Sequence, residues 1–245
     1  MPASSNFQEA IRQAQSSALV GPNVVNKALP YVGGGMVLTA VGVMGGMAVM
    51  ASSRALFMPL FWVALIGNFV LFFLAQNVAN KGNNAVALPL LTAYSLITGF
   101  TLSGIVSYAV AAAGVGAVGT AALATGITFV VASFTGRRMS DNVGQALGAV
   151  VGLGLIGLLI AMVVQIVGGI FAPGIFHAGG FELMIAGFGT VLFVGAAFLD
   201  FYTMPRTYSD DQYLSGALGM YLTYINLFIF LLRLIIALQG GGRRE

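Results

Sequence analysis

Three ionisable residues near the end of the chain lie within or at the edges of apolar segments. Glu182 and Asp200 are 18 residues apart. That spacing is five helical turns, so one helix would project both carboxylates from the same face, about 27 Å apart. Arg233 lies in the next apolar segment. Such a charge costs about 2.5–3.5 kcal/mol on insertion scales, so each should be paired, lie at an interface or line water.

The two segments predict two pairings if they form antiparallel helices. Arg233 then approaches the depth of Glu182, and Thr223 approaches the depth of Asp200. We expect an ion pair between Glu182 and Arg233 at the outer end, and an ion pathway at Asp200, faced by Thr223 and Asn226. Any protein-bound cation would need hard oxygen ligands, which suits calcium or magnesium, so Asp200 is also the candidate metal ligand. The alternatives are interfacial: Asp200 at a polar helix end, Glu182 in a first turn, and Arg233 snorkelling outward.

Four more polar residues are candidates for contacts between helices or with ions. Asn68 lies halfway along the second apolar segment and Gln165 lies in the fifth. Each is interpreted as an inter-helix hydrogen-bonding group, and Asn68 is also a candidate for the ion pathway. Asp210 and Asp211 lie in an inner loop, where they are either solvated or recruit a cation to the inner mouth.

The composition determines what kind of element must hold these residues. Of 245 residues, 58% are hydrophobic and 7% are charged, and the mean hydropathy is +0.95. Soluble domains carry about 25% charged residues, so we predict an all-α polytopic membrane protein without a soluble catalytic module. There is no cysteine, and the one histidine is His177. This excludes disulfides, thiolate metal sites and an imidazole-based zinc or copper site.

The chain also lacks the groups that several function classes require. The net charge is +3, too small and scattered for nucleic-acid binding. Intramembrane hydrolysis needs a paired acid, a serine–base arrangement or a metal site. The sequence offers two separated carboxylates and one loop histidine. We therefore expect no enzyme and no cofactor.

Seven apolar segments approach the length of about 20 residues that crosses a bilayer. A polar N-terminal tail, residues 1–30, precedes the bundle of residues 31–238, and a short polar tail, residues 239–245, follows it. The glycines at 114 and 116 separate the third and fourth segments. The predicted segments are 31–51, 56–78, 86–112, 115–135, 147–171, 181–203 and 214–238.

The basic residues predict an orientation, because lysine and arginine accumulate in cytoplasmic loops. With the N-terminus inside, six basic residues fall on the inner side: Arg12, Lys27, Lys81, Arg137, Arg138 and Arg206. Three fall on the outer side: Arg54, Arg243 and Arg244. We expect the N-terminus in the cytoplasm and the C-terminus outside, which requires an odd number of crossings.

Small residues at helical spacing predict where helices approach closely. One stripe lies on the first segment, at Gly35, Thr39, Gly42 and Gly46. A second lies on the third segment, at Ser95, Gly99, Ser103 and Ser107. The fifth segment carries Gly148 and Gly152. We interpret each stripe as a close helix–helix contact.

Three stretches resemble a known family. Residues 24–39 read VVNKALPYVGGGMVLT, residues 93–108 read AYSLITGFTLSGIVSY, and residues 221–228 read YLTYINLF within a similar stretch from 198 to 235. In order and spacing they are similar to the Bax inhibitor-1 family, also called the transmembrane Bax inhibitor motif group, in its bacterial branch. The resemblance implies a seven-helix bundle with the last helix central, in a bacterial inner membrane.

The resemblance also implies an activity. Members are similar to calcium-leak channels controlled by pH, in which aspartates on the sixth and seventh helices share a proton and hold or release a gate. Here the first is Asp200, but Thr223 stands where the second is expected. A threonine can donate a hydrogen bond to Asp200 but cannot act as a second acid. No arginine lies in the second helix to contact Asp200, and Asn68 is the nearest polar candidate there.

Two functions remain as predictions. The first is a cation leak, with calcium as the transported ion, along helices six and seven and with altered pH sensing. The alternative is a non-transporting interaction protein that modulates a membrane-anchored protease, which could grip the polar N-terminal tail. In either case we expect a monomer in the lipid bilayer.

Overall fold

The computed structural model describes residues 19–171 and 179–241, which form seven helices and no strand. All seven are long and apolar enough to cross a membrane, as predicted. They are α1 (Val24–Ser52), α2 (Arg54–Asn80), α3 (Asn84–Ala113), α4 (Val115–Gly136), α5 (Asp141–Phe171), α6 (Gly179–Thr207) and α7 (Tyr213–Gly241).

Several helices extend past the apolar segments that predict them. α1 begins at Val24 rather than at residue 31, and α5 begins at Asp141 rather than at residue 147. Hydropathy marks only the apolar part of a helix, whereas the backbone hydrogen bonds continue into the polar boundary. Residues 24–30, expected in the tail, are therefore helical. Residues 1–18, His177 and Arg243 to Glu245 lie outside the described residues.

The break between α3 and α4 falls at Gly114, as predicted. Gly114 has a φ of +81°, in the region that glycine adopts without a steric penalty. A side chain at this position would be strained, so the glycine allows two antiparallel helices to be joined by a single residue.

α7 is the central helix. It packs against α6, α1, α4, α3 and α2. Tyr221, Leu227 and Leu232 are at most 1% exposed. α5 is peripheral and packs chiefly against α6. The last helix is therefore enclosed by most of the others, as predicted.

The predicted small-residue stripes of α1 and α3 face each other. A Cβ added to Gly42 would lie 3.0 Å from the Cα of Gly99, and a Cβ on Gly99 would lie 2.9 Å from the Cα of Gly42. A Cβ on Gly46 would collide with Ser103. The two backbones therefore approach too closely for any side chain. On α5 the prediction was wrong at Gly152, which faces open space.

The seven helices define two faces of the bundle. The N-terminal face contains the helix ends at Val24, Asn80, Asn84, Gly136, Asp141, Thr207 and Tyr213. The opposite face contains the ends at Ser52, Arg54, Ala113, Val115, Phe171, Gly179 and Gly241.

Candidate functional site

The interface between α6 and α7, here called the α6–α7 seam, holds Asp200 near the N-terminal face. Asp200 lies about 10 Å along α6 from its end at Thr207. The Thr223 side chain lies close to the Asp200 carboxyl group. Among the described residues, the buried Oδ2 atom of Asp200 has no hydrogen-bond partner. The structure therefore brings together the two residues that the sequence paired.

No arginine or lysine neutralises this carboxylate among the described residues. Arg206, on the same helix, lies 3.2 Å from Asp141 and donates to the carbonyl of Tyr202. An ionised carboxylate that is buried without a counter-charge is costly. A bound cation or a proton would stabilise Asp200.

The turn of α7 before Thr223 leaves a space unfilled. Thr223 is itself buried, and its Oγ1 donates to the carbonyl of Gly219 at 3.4 Å. A Cβ added to Gly219 would meet no atom within 4 Å, although this residue is only half-exposed. This space adjoins the helical turn that carries Thr223.

Asn226 lies on the same side of α7 but does not turn toward Asp200. Its Nδ2 donates to the carbonyl of Leu222 at 2.9 Å. The Asn226 amide is half-buried and bonded to its own helix, so it lies close to the seam but makes no hydrogen bond to Asp200.

The structure does not bring Asn68 to Asp200. The Thr98 hydroxyl donates to Asn68 Oδ1 at 3.0 Å, which joins α2 to α3. Among the described residues, α2 packs against α3, α1 and α7, and no comparable contact joins it to α6. Asn68 thus makes an inter-helix hydrogen bond, which was one of its two interpretations, and its place in the ion pathway stays a prediction.

The other end of the seam holds a bidentate ion pair. Arg233 Nε lies 2.7 Å from Glu182 Oε1, and Nη2 donates to Oε2 at 3.0 Å. Gln165 of α5 donates to the same Oε2 at 2.7 Å and accepts from Arg233 Nη2 at 3.3 Å. The Arg233 and Glu182 side chains are 16% and 32% exposed. Glu182, Arg233 and Gln165 are here called the ion-pair triad. For Gln165, the sequence predicted only an inter-helix hydrogen bond without naming its partners.

Sequence reasoning does not identify a buried polar cluster between α1, α3 and α7. The hydroxyls of Thr39 and Tyr221 lie 2.6 Å apart, and Thr39 Oγ1 also donates to the Ser95 carbonyl at 3.2 Å. The Ser95 hydroxyl is buried and has no hydrogen-bond partner among the residues that the structure describes. The sequence places Thr39 and Ser95 only in packing stripes, and no local signal marks Tyr221 as their partner.

The candidate metal ligand Asp200 has few oxygen ligands beside it. No group of three or more histidine, cysteine, aspartate or glutamate residues suited to a metal lies within residues 19–171 and 179–241. Calcium takes six to eight oxygen ligands, whereas Asp200 and Thr223 together offer three side-chain oxygens.

Comparison with known proteins shows which family this chain is similar to. The family model described as Inhibitor of apoptosis-promoting Bax1 matches residues 21–240. The Lactococcus lactis protein YrjE is 31% identical over 205 residues, which cover 80% of each chain. An uncharacterized membrane protein of Streptococcus pyogenes serotype M1 is 30% identical over 186 residues, 71% of this chain and 73% of its own.

A shorter match carries the family name itself. Bax inhibitor 1 of Schizosaccharomyces pombe is 37% identical over 60 residues, 24% of this chain and 23% of its own. Together with the seven membrane-grade helices, these matches identify a multi-pass integral membrane protein. The chain belongs to the Bax inhibitor-1 family.

Proposed function

We propose that the chain passes a cation, most simply calcium, along the α6–α7 seam. The observation that carries this proposal is the Asp200 carboxylate, whose buried Oδ2 has no hydrogen-bond partner in the part of the chain that the structure describes. Ionisable residues inside a membrane bundle are rare and usually mark pathways for ions or protons. Thr223 would supply a second, neutral oxygen to a passing ion.

Sparse contacts between α2 and α6 favour access to this site from the N-terminal face. Among the described residues, α2 and α6 each pack against α7 but make few or no contacts with each other. Gly219 and Asn226 of α7 are half-exposed, and a Cβ on Gly219 would meet no atom within 4 Å. In the proposal, water and the ion reach Asp200 through a gap between α2 and α6, beside Gly219.

The ion-pair triad would close the seam at its other end. It joins α6 to α7 and adds Gln165 from α5. An ion leaving through this end would have to pass between two fully paired charges. Passage therefore requires α6 and α7 to separate around Arg233.

Thr223 determines the pH dependence that we propose for the leak. Two carboxylates in contact cannot both ionise cheaply, so they titrate as a pair. With Thr223 in place of a second acid, we propose a leak with altered, weaker pH control. We also propose that the N-terminal face is cytoplasmic in a bacterial inner membrane, that the chain acts as a monomer, and that it is not an enzyme.

Calcium flux into proteoliposomes tests this function. We expect the unmodified chain to leak calcium and the Asp200→Asn chain to lose most of that leak between about pH 6 and pH 8. Asp211→Asn is the matched control, because it removes one acid in the exposed loop of the same chain. An Asp200→Asn chain that leaks like the unmodified protein would end the proposal.

A variant at Gly219 tests the route. Gly219→Leu should fill the space beside Thr223 and reduce the leak while leaving the fold intact. Gly45→Leu is the control, since a Cβ at Gly45 also meets no atom within 4 Å but lies on α1, away from the seam. Equal leaks from the two variants would exclude this gap as the route.

A second candidate is the modulation of a membrane-anchored protease. It is favoured by Thr223, because a chain that transports nothing has no need of a second acid. Deleting residues 1–18 tests it and leaves the contacts of Val20 and Gly21 in place. Under this candidate, the deletion changes the turnover of the protease's membrane substrates and leaves any calcium leak unchanged.

A further inference from the structure

The chain immediately before α1 is bonded to the end of α6. The backbone N–H groups of Val20 and Gly21 both donate to the carbonyl of Pro205, at 2.9 and 3.0 Å. Pro205 lies two residues before the end of α6, where the last carbonyls of a helix have no partner within it. The segment before α1 therefore caps the helix that carries Asp200.

Asp210, in the loop between α6 and α7, is bonded to the start of α1. Its Oδ1 accepts from the backbone N–H of Asn23 at 2.9 Å, and its Oδ2 accepts from Asn23 Nδ2 at 3.3 Å. Lys27 donates to its carbonyl at 3.2 Å. The carboxylate lies at the positive end of the α1 dipole and satisfies a backbone donor that the helix cannot.

Gly21 fits between these elements without room for a side chain. A Cβ there would lie 2.9 Å from the backbone nitrogen of Asp210 and 2.9 Å from the carbonyl carbon of Ser209. Because both are backbone atoms, they cannot move aside as a flexible side chain would. Residues 20–27, Pro205 and Asp210 are called the N-terminal clasp below.

The loop is also fixed to α2 and α3. Gln212 Nε2 donates to the carbonyl of Asn80 at 2.7 Å, and Asn84 Nδ2 donates to the carbonyl of Asp211 at 2.9 Å. The Ser215 hydroxyl donates to Asn80 Oδ1. The clasp thus sets the position of α1 and of the α6 end against a loop that is itself anchored.

We propose that Asp210 is a positioning residue for Asp200 and acts through the N-terminal clasp. Asp200 and Pro205 belong to one continuous helix and are about 7.5 Å apart along its axis. A shift of the α6 end against α1 therefore moves the Asp200 carboxyl relative to Thr223. Loosening the clasp changes how readily water and solutes reach the seam, and anything that pulls on the chain before Val20 acts on α6 first.

The absence of cysteine from the chain allows a direct test. A Thr223→Cys reporter is placed in the full chain in liposomes, and its rate of modification by a water-soluble methanethiosulfonate is measured. Asp210→Ala should change this rate by about fivefold, the change that losing one helix cap produces in an equilibrium constant. Asp210→Asn keeps an accepting oxygen and should restore most of the original rate.

Asp211→Ala is the matched control. The adjacent Asp210 accepts the hydrogen bonds from Asn23 in the clasp, whereas the Asp211 side chain makes no hydrogen bond among the described residues. Equal labelling rates in Asp210→Ala and Asp211→Ala, including complete protection in both, would overturn the proposal.

A second pair of variants breaks the clasp without touching a charge. Gly21→Ala should change labelling in the same direction as Asp210→Ala, whereas Gly33→Ala, where a Cβ meets nothing within 4 Å, should not. An unchanged rate in Gly21→Ala would count against the clasp even if Asp210→Ala failed to fold. The labelling assay does not use the leak, so changed labelling without calcium flux would reject the proposed function and keep the linkage.

Discussion

The two ends of the α6–α7 seam differ in whether their buried charged side chains are paired. At one end, Arg233 and Glu182 form two parallel hydrogen bonds, and Gln165 bonds to both of them. At the other end, Asp200 has a neutral neighbour, Thr223, and one of its oxygens has no hydrogen-bond partner within residues 19–171 and 179–241. The same pair of helices thus contains a satisfied charge network and an unsatisfied acid.

The difference separates a structural role from a functional one. A bidentate arginine–carboxylate pair is strong and geometrically specific, so it fixes the relative position of α6 and α7. A lone buried acid stabilises nothing in the absence of a ligand and costs free energy when it is ionised. We interpret the ion-pair triad as the group that fixes α6 against α7, and Asp200 as the group that contacts the ion.

The largest effect is expected from breaking the ion pair on one side only. Arg233→Ala leaves Glu182 without its counter-charge and should lower the free energy of unfolding by up to about 3 kcal/mol, with part of this screened by solvent. Thermal unfolding in detergent measures it. The double variant Glu182→Gln with Arg233→Gln should be less damaged than the sum of the singles, and an additive result would contradict the pairing.

A packing change near the same end should have a smaller effect. A Cβ on Gly189 of α6 would collide with the ring of Phe230 on α7, so Gly189→Ala should cost about 2 kcal/mol through overpacking. Gly187→Ala, on the same helix, meets nothing within 4 Å and should stabilise the helix by about 0.5–1 kcal/mol. Similar midpoints of thermal unfolding for the two variants would show that this end of the seam is not tightly packed.

At the Asp200 end, removing one hydroxyl should affect transport more than stability. Thr223→Val keeps the shape of the side chain but removes its oxygen, and one neutral hydrogen bond contributes about 1 kcal/mol, or roughly fivefold in rate. The calcium leak should fall by that factor, while the free energy of unfolding falls by no more than about 1 kcal/mol. Thr223→Ser, which keeps the hydroxyl, should leak like the unmodified chain, and a loss equal to that of Thr223→Val would exclude the hydroxyl as the cause.

The smallest expected effect concerns pH. Thr223→Asp places a second acid opposite Asp200, and two adjoining carboxylates bind and release a proton as a pair. The leak of this variant should become more dependent on pH than that of the unmodified chain. Flux measured at a series of pH values between about 6 and 8 checks this, and Thr223→Asn is the uncharged control. Parallel pH profiles for Thr223→Asp and Thr223→Asn would contradict it.

The features that the sequence predicts well are those set by local composition. The seven helices follow from runs of apolar residues, and the break at Gly114 follows from glycine. The depth matching of Glu182 with Arg233 and of Asp200 with Thr223 follows from helical rise alone, once two helices are antiparallel. These predictions need no knowledge of how a helix is rotated about its own axis.

The features that the sequence does not predict depend on that rotation and on contacts between distant segments. Asn68 faces Thr98 because α2 packs against α3, which no pattern within α2 specifies. Asp210, interpreted as solvated or as recruiting a cation, accepts a hydrogen bond from the backbone N–H of Asn23, which lies 187 positions earlier, just before α1. Tyr221 and Thr39 meet only because α7 is surrounded by the other helices.

Calcium-induced infrared difference spectroscopy of the reconstituted chain tests most directly whether Asp200 binds the cation. We expect that calcium shifts a carboxylate stretching band, that Asp200→Asn abolishes this band, and that Glu182→Gln leaves it in place. A band that persists in Asp200→Asn, or one that disappears in Glu182→Gln instead, would contradict the assignment of the lone acid as the ion site.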